Sequence, residues 1–581
     1  MTLSTIVKGD RLVVTDFTNL KHALIELAGD KSEEWVWSSC GLWGDRQSLP
    51  VFLHADGYVP STSRARILVI VSDKDALKSQ AIAEGVFGCY IKHPDQDKIS
   101  LSMIPVTDLY SGSDPGLEYH STTSQGYPPT RPFYQDTHGP QKQYLWRWIS
   151  FNAPDLIVEI CFGDSVRWQA NDAINDLPLT VGATRIPADD SLVSAIGIEA
   201  PDSVGPIPGV RLLANQSDLP LEINRLLDVV GKTRGWKVSR ARTELDRRRA
   251  RSYLEIATFL ADEYGHDLDV MVYTKGVAIS GRLLLAELLP KGEDALKDLD
   301  SIVEPFLSGG IDYFGDNPGS SSIGGIVWAY DLVRIRRDSR AKDLIVKSAE
   351  LFATNGLGVP PKCTDPSFRV EDMFNCNAIL GRAYDLTNDP KYLDIMSGLL
   401  LDAGTQQEDG LFFHARGAPY YWGRGNGFAA IGFAESLTYM PEDHVNRSNL
   451  IDIHINHLSA LRRLQQPSGM YWQMLDLPGS YQEFTCTCMI GYAMARGIRF
   501  GWLDSSFSDS VNLAWQGVSE RIDDDGNVVD ACISTGVQDS VDAYLSREAI
   551  FGRDDRSGSL ALWFALEMYH MNESLARGVS R

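Results

Sequence analysis

Two runs, GFAAIGFAESLTY (427–439) and NLIDIHINHLSALRRL (449–464), decide the fold. In each, apolar residues return at steps of three and four, the spacing of one face of a helix. The rhythm begins near residue 240 with SYLEIATFLADEY and VAISGRLLLAELL. It continues to CTCMIGYAMARGIRFGWL and GSLALWFALEMYH close to the end. Helix pairs repeating at roughly 50 residues predict an array of αα-hairpins, open as a solenoid or closed as a toroid. The breaks between them are long and rich in Gly, Asp, Trp and Tyr. That fits a barrel whose loops build a site at one end. The expected fold is multidomain, with an N-terminal α/β domain over 1–235 and an all-α barrel of six helical hairpins over 236–581.

The first half has a different rhythm. RILVIVSD (66–73), ISLSMIPV (99–106) and DLIVEICFG (155–163) are continuous apolar runs of strand length. DALKSQAIAEGV (75–86) and QKQYLWRWISFN (141–152) are helical. Alternating strand and helix predicts an α/β sheet. The polar, Gly/Pro-rich stretch 111–140 reads as a long loop. The basic segment 230–252 reads as a linker running into a helix with a solvated face.

A chain of 581 residues exceeds the ~250–300 at which single cores divide. Its net charge of −23 argues against nucleic acid as a partner, since phosphate contacts need clustered Lys and Arg. A small acidic ligand needs only a local positive pocket. No run has the length of a membrane span or signal peptide, so a cytoplasmic location and no membrane partner are expected. The eight cysteines include Cys376, Cys486 and Cys488 in helical patterns, where buried free thiols are expected. Their spacing suits no zinc site. No metal or organic cofactor is expected, and the oligomeric state is open, a homo-oligomer included.

Chemistry-bearing residues gather in the loops of the second half. FRVEDMFN (368–375) places Glu371 and Asp372 at a helix start. DGLFFHARG (409–417) offers His414, and YYWGRGNGFA (420–429) offers Trp422, Arg424 and Asn426. QQPSGMYWQMLDLPGSYQEFTCT (465–487) offers Trp472, Tyr481 and Glu483 before another helix. Each has an ordinary structural explanation, such as a helix-dipole charge pair for Glu371 and Asp372. Together they match a carbohydrate site, with aromatic faces for sugar rings, Arg or His for a carboxylate, and an acid for proton transfer. Glycines beside Arg424 would let a ligand approach the backbone.

On V-E-D-M-F, D-G-L-F-F-H, W-G-R-G-N-G-F and S-G-M-Y-W-Q…D-L-P-G-S-Y-Q-E, in that order, residues 240–581 resemble the unsaturated uronyl hydrolases of glycoside hydrolase families 88 and 105. The resemblance implies an (α/α)6 barrel and an exo-acting hydrolase that removes a terminal uronic acid from an oligosaccharide. An acid at a helix start protonates the C4=C5 bond of an unsaturated uronide, water adds at C5, and the hemiketal collapses. Ungapped alignment puts Glu371 at that acid, with Asp372 one place later. His414, Trp422 and Arg424 fall on substrate-binding positions. The family's second Asp is replaced by Ser322, with Asp316 the nearest substitute. These departures leave open a saturated β-glucuronidase using two carboxylates, Glu371 with Asp316, Asp372 or Glu483. A polysaccharide lyase and a non-catalytic carbohydrate-binding protein are the further alternatives. Residues 1–215 resemble a zinc carboxypeptidase-like fold, on IPV…DPGLEY…YPP and YLWRWISFNAPDLIVEI. SDKDAL (72–77) stands where that fold carries its H-x-x-E ligands, so an accessory role without zinc is expected.

Overall fold

The computed structural model describes residues 17–578 apart from 45, 61, 74, 108–121, 131–133, 135–139, 175–182, 201–202, 234–236, 291 and 311–317. The chain divides into two compact units, Met1–Arg247 with Leu477–Tyr481, and Arg248–Asp476 with Gln482–Arg581.

The first unit contains α1 (Thr18–Ala28), β1 (Trp35–Leu42), β2 (Ser48–His54), β3 (Ala65–Ser72), α2 (Ala76–Lys92), β4 (Ile99–Ile104) and α3 (Gln141–Asn152). It continues through β5 (Leu156–Phe162), β6 (Arg167–Ala170), β7 (Thr184–Arg185), α4 (Leu192–Ala195), β8 (Gly209–Ala214), α5 (Leu219–Lys232) and, up to Arg247, α6 (Arg240–Arg249). Eight strands form one sheet in the order β1-β2-β4-β3-β5-β8-β6-β7. The centre, β4-β3-β5-β8, is parallel, with Val69 opposite Met103 and Val158. The hairpin β1–β2 and strand β6 add antiparallel pairs at its flanks. Every residue of β3 is buried, which explains its unbroken apolar run where a strand with one wet face would alternate. The sequence reading divided the chain at 235/236, whereas the units divide after Arg247. Residues 240–247 of α6 stay with the sheet, and Arg242 among them forms a buried pair with Asp155 at 2.7 Å.

The second unit alternates outer and inner helices. The outer ones are α7 (Tyr253–Glu263), α9 (Leu299–Leu307), α12 (Ser339–Glu350), α15 (Lys391–Asp402), α17 (Arg447–Leu464) and α19 (Ser508–Glu520). The inner positions are α8 (Tyr273–Leu288), α10 with α11 (Ser320–Gly324, Trp328–Arg336), α13 with α14 (Glu371–Asn375, Asn377–Thr387), α16 (Gly423–Tyr439), α18 (Phe484–Arg499) and α21 (Asp555–Ala576). Each inner position packs on the next, and α21 returns to α8, which closes the ring. The unit is therefore an (α/α)6 barrel, the toroidal alternative of the sequence reading. Two short hairpins, β9–β10 (Tyr471–Trp472, Gln482–Glu483) and β11–β12 (Val528–Cys532, Ala549–Gly552), and helix α20 (Val541–Leu545) lie in its loops.

Small residues set the closeness of the ring. A Cβ on Gly276 of α8 would stand 1.9 Å from the Gly325 carbonyl oxygen, and one on Gly432 of α16 would stand 2.6 Å from that of Met373. Inside the ring, each inner position contributes a polar group to one belt. Ser280 bonds Asp331 at 2.5 Å, Arg382 meets Glu435 at 2.7 Å, Arg496 binds Glu435 and Glu567, and Arg499 adds a second cation at Glu567. No helix among the described residues is long and apolar enough to cross a membrane.

Candidate active site

The inner helices begin at one end of the ring, and hydrogen bonds tie their first turns together. Ser320 of α10 donates to Asp372 of α13. Arg424 of α16 donates to the Cys532 carbonyl, which also accepts from Arg556 of α21 at 3.3 Å. Glu483, which caps α18, accepts from the Cys532 N–H at 2.9 Å. Arg556 also reaches the Tyr273 hydroxyl of α8 at 3.2 Å. Helix N-termini carry partial positive charge, so their convergence favours an anionic ligand in an otherwise acidic chain.

Glu371 and Asp372 diverge at the start of α13, since successive helical residues are turned by about 100°. The Asp372 carboxylate is fully buried and accepts from Ser320, from the Asp365 N–H at 2.7 Å and from Arg369 at 3.3 Å. Burial raises its pKa against the lowering effect of Arg369 and these hydrogen bonds. Glu371, 7% exposed, faces His414 instead, with His414 Nε2 at 3.1 and 3.2 Å from its two oxygens. On its other side stands Arg369 Nε at 3.5 Å. Burial pulls the Arg369 guanidinium down, but the charges of Glu371 and Asp372 outweigh it and hold the pKa above the usual arginine value.

His414 is fully buried, and its Nδ1 lies 2.5 Å from the Tyr544 hydroxyl of α20. That hydroxyl accepts the Gln538 N–H at 3.2 Å. His414 thus bridges the Tyr544 hydroxyl and the Glu371 carboxyl through its two ring nitrogens. Burial raises the Tyr544 pKa, offset in part by the Gln538 N–H and reinforced by the Glu371 charge, so the phenol stays protonated. His414, Trp422 and Tyr544 form an aromatic cluster, with the His414 and Trp422 rings 4.5 Å apart.

Arg424, Asn426 and Glu483 give polar atoms to the protein itself. Arg424 is 1% exposed, lies 4.7 Å over the Trp422 ring and gives its terminal nitrogens to the carbonyls of Cys532 and Ile533. These bonds splint the chain leaving β11. Gly423 beside it serves close packing, since a Cβ there would stand 2.5 Å from the Trp472 carbonyl oxygen. Asn426 is buried; its amide donates to the Phe412 and Trp422 carbonyls while its oxygen accepts from Phe412 N–H and His457 Nε2. Glu483 is a buried N-cap whose oxygens accept from the N–H groups of Thr485, Cys486 and Cys532 and from the Thr485 hydroxyl. With its acceptors engaged, it is not placed to act as a second catalytic carboxylate. Trp472 is buried in β9. Tyr481 belongs to the first unit, where it stacks on Tyr134 at 4.9 Å. Asp316 lies outside the described residues.

Arg369 and Tyr544 were missed by the sequence reading. Arg369 stands two places before Glu371 inside FRVEDMFN and could have been noticed as the cation of an acidic helix start. Tyr544, in SVDAYLS, carries no local signal, because it meets His414 only through the fold. Among the described residues no three His, Cys, Asp or Glu side chains converge as metal ligands.

The profile of Glycosyl Hydrolase Family 88 matches residues 257–572. An unsaturated 3S-rhamnoglycuronyl hydrolase of Alteromonas sp. (strain LOR) is 29% identical over 158 residues, covering 25% of this chain and 38% of that protein. An unsaturated rhamnogalacturonyl hydrolase of Bacillus subtilis is 28% identical over 124 residues, covering 21% and 34%. The chain thus aligns with little more than a third of the length of these relatives. A family 105 glycoside hydrolase of C. acetobutylicum superposes with a TM-score of 0.49 at 18% identity, over 54% of this chain and 99% of that one. Because the profile takes in more than half of the chain and covers the helical ring from α7 to α21, the chain belongs to Glycosyl Hydrolase Family 88.

Proposed function

We propose that the barrel unit is an exo-acting hydrolase that hydrates the C4=C5 bond of a terminal unsaturated uronic acid and thereby releases it from an oligosaccharide. The observation that carries this reading is the setting of Glu371. It alone of the described acidic candidates faces His414, whereas Asp372 is tied to Ser320, the Asp365 N–H and Arg369, and Glu483 to backbone N–H groups. Hydration needs one such acid and a water, whereas conventional glycoside hydrolysis needs two free carboxyl groups. The names of the relatives, both unsaturated uronyl-type hydrolases, point the same way.

In this reading Glu371 gives its proton to C4, and positive charge develops at C5 and the ring oxygen. Water adds at C5 and returns a proton to Glu371. The hemiketal opens to a C5 ketone, and the hemiacetal left at C1 expels the aglycone as an alcohol. His414 and Arg369 hold the Glu371 carboxylate between the two proton transfers. Arg369, with 26% of its side chain exposed, is the arginine available to a uronate carboxylate.

The test offers the protein a lyase-generated unsaturated disaccharide and, separately, a nitrophenyl β-glucuronide. The reading expects the double-bond absorbance to fall with release of the second sugar, and no nitrophenol. Nitrophenol release with the double bond untouched would replace it by two-carboxylate hydrolysis. Absorbance appearing from a saturated polymer would replace it by a lyase.

A further inference from the structure

The first unit holds a cavity of its own, about 410 Å³, where β5 and β8 end and α2 and α5 begin. Its walls are mostly apolar, among them Ile82, Ile160, Phe162, Ala214 and Leu219. Two large apolar side chains at its mouth are open to solvent, Phe162 at 49% and Leu77 at 64% exposure. The carboxyl edge of parallel strands is where open α/β sheets receive ligands, and this volume lies in the range of small-molecule sites.

One charge faces the cavity. The Lys78 ammonium lies 5.4 Å over the Phe162 ring and has no acidic partner among the described residues. The nearby acids are occupied: Asp75 caps the N–H groups of Leu77 and Lys78, and Asp73 accepts the Asp75 N–H. Asn215 likewise spends its oxygen on the N–H groups of Ser217 and Asp218. An apolar chamber with one unpaired cation at its rim suits an apolar body bearing one negative charge. It suits a sugar poorly, because the walls offer little to bond a ring of hydroxyls.

The geometry points to a binding site in the α/β unit for a small monocarboxylate with an aromatic or alkyl body, seated between α2 and α5 with its carboxylate at Lys78. The site is independent of the barrel chemistry. It is tested on the full chain by calorimetric titration with hydrocinnamate, with its uncharged amide and with acetate as comparators. Hydrocinnamate is expected to bind saturably, one per chain, and more tightly than either comparator. Lys78→Met should weaken it about fivefold, as loss of one exposed charge contact does. Ala81→Trp, at an exposed position of α2 on the cavity wall, should abolish it while near-ultraviolet dichroism stays native. Absence of saturable binding, equal affinity for the amide, or binding untouched by Ala81→Trp in a folded protein would each overturn the assignment.

Discussion

At the start of α13 one peptide unit separates two buried acids with different partners. Asp372 holds Ser320 and the Asp365 turn in place, and Glu371 is left to face His414. Arg424 and Glu483 are charges of the same structural kind as Asp372. Each is buried and each satisfies backbone groups where the chain leaves β11. Glu483→Gln keeps one acceptor of the cap and loses the charge. It should destabilise the protein by about 1–2 kcal/mol in denaturant unfolding, with turnover per folded molecule retained. Arg424→Lys cannot reach both carbonyls and should cost about 2 kcal/mol of stability. A raised KM with unchanged stability would show instead that Arg424 reads the substrate.

At the scale of elements, the polar belt inside the ring has a pH signature. Burial raises the Asp331 pKa to about 6, against the lowering effects of Arg382 and Ser280. Its unfolded value is near 3.8, so the folded form holds the proton more tightly. The stability this group supplies is complete below about pH 4 and is lost as pH rises to about 6, a change on the order of 3 kcal/mol. Glu567 has the opposite sign. Burial would raise its pKa, but Arg496 and Arg499 lower it to about 2, so its contribution is lost as pH falls below about 4.5. Unfolding curves of Asp331→Asn between pH 4 and 6 should lack the decline that the parent shows; an unchanged slope would contradict this account of Asp331. The helices carrying the belt were legible, since runs such as GFAAIGFAESLTY declare their period. The belt was not. Glu435 sits in that run as one polar letter, and its partners Arg382 and Arg496 lie on other inner helices. The site divides in the same way. Glu371 and His414 stand in motifs, whereas Tyr544 reaches His414 across 130 positions of chain.

At the scale of the whole molecule, a chain of net charge −23 gathers arginines where the inner helices begin. Arg369, Arg424 and Arg556 lie in that end of the ring, with the positive ends of the helix dipoles. On the proposed function this local positive charge would draw an acidic sugar to an acidic protein, and the encounter should be sensitive to salt. Strand order and the late division of the units were beyond the sequence. Apolar runs mark strands without saying which neighbours they take, and α6 looked like a linker until Asp155 supplied a partner for Arg242. The claim on which the account turns is that Glu371 is the proton donor. Its most direct test is the decay of double-bond absorbance of an unsaturated disaccharide, comparing the parent with Glu371→Gln at equal folded concentration. Steady decay is expected for the parent and a loss of about a hundredfold or more for the variant, the scale of a removed general acid. Undiminished decay in a folded Glu371→Gln protein would contradict it.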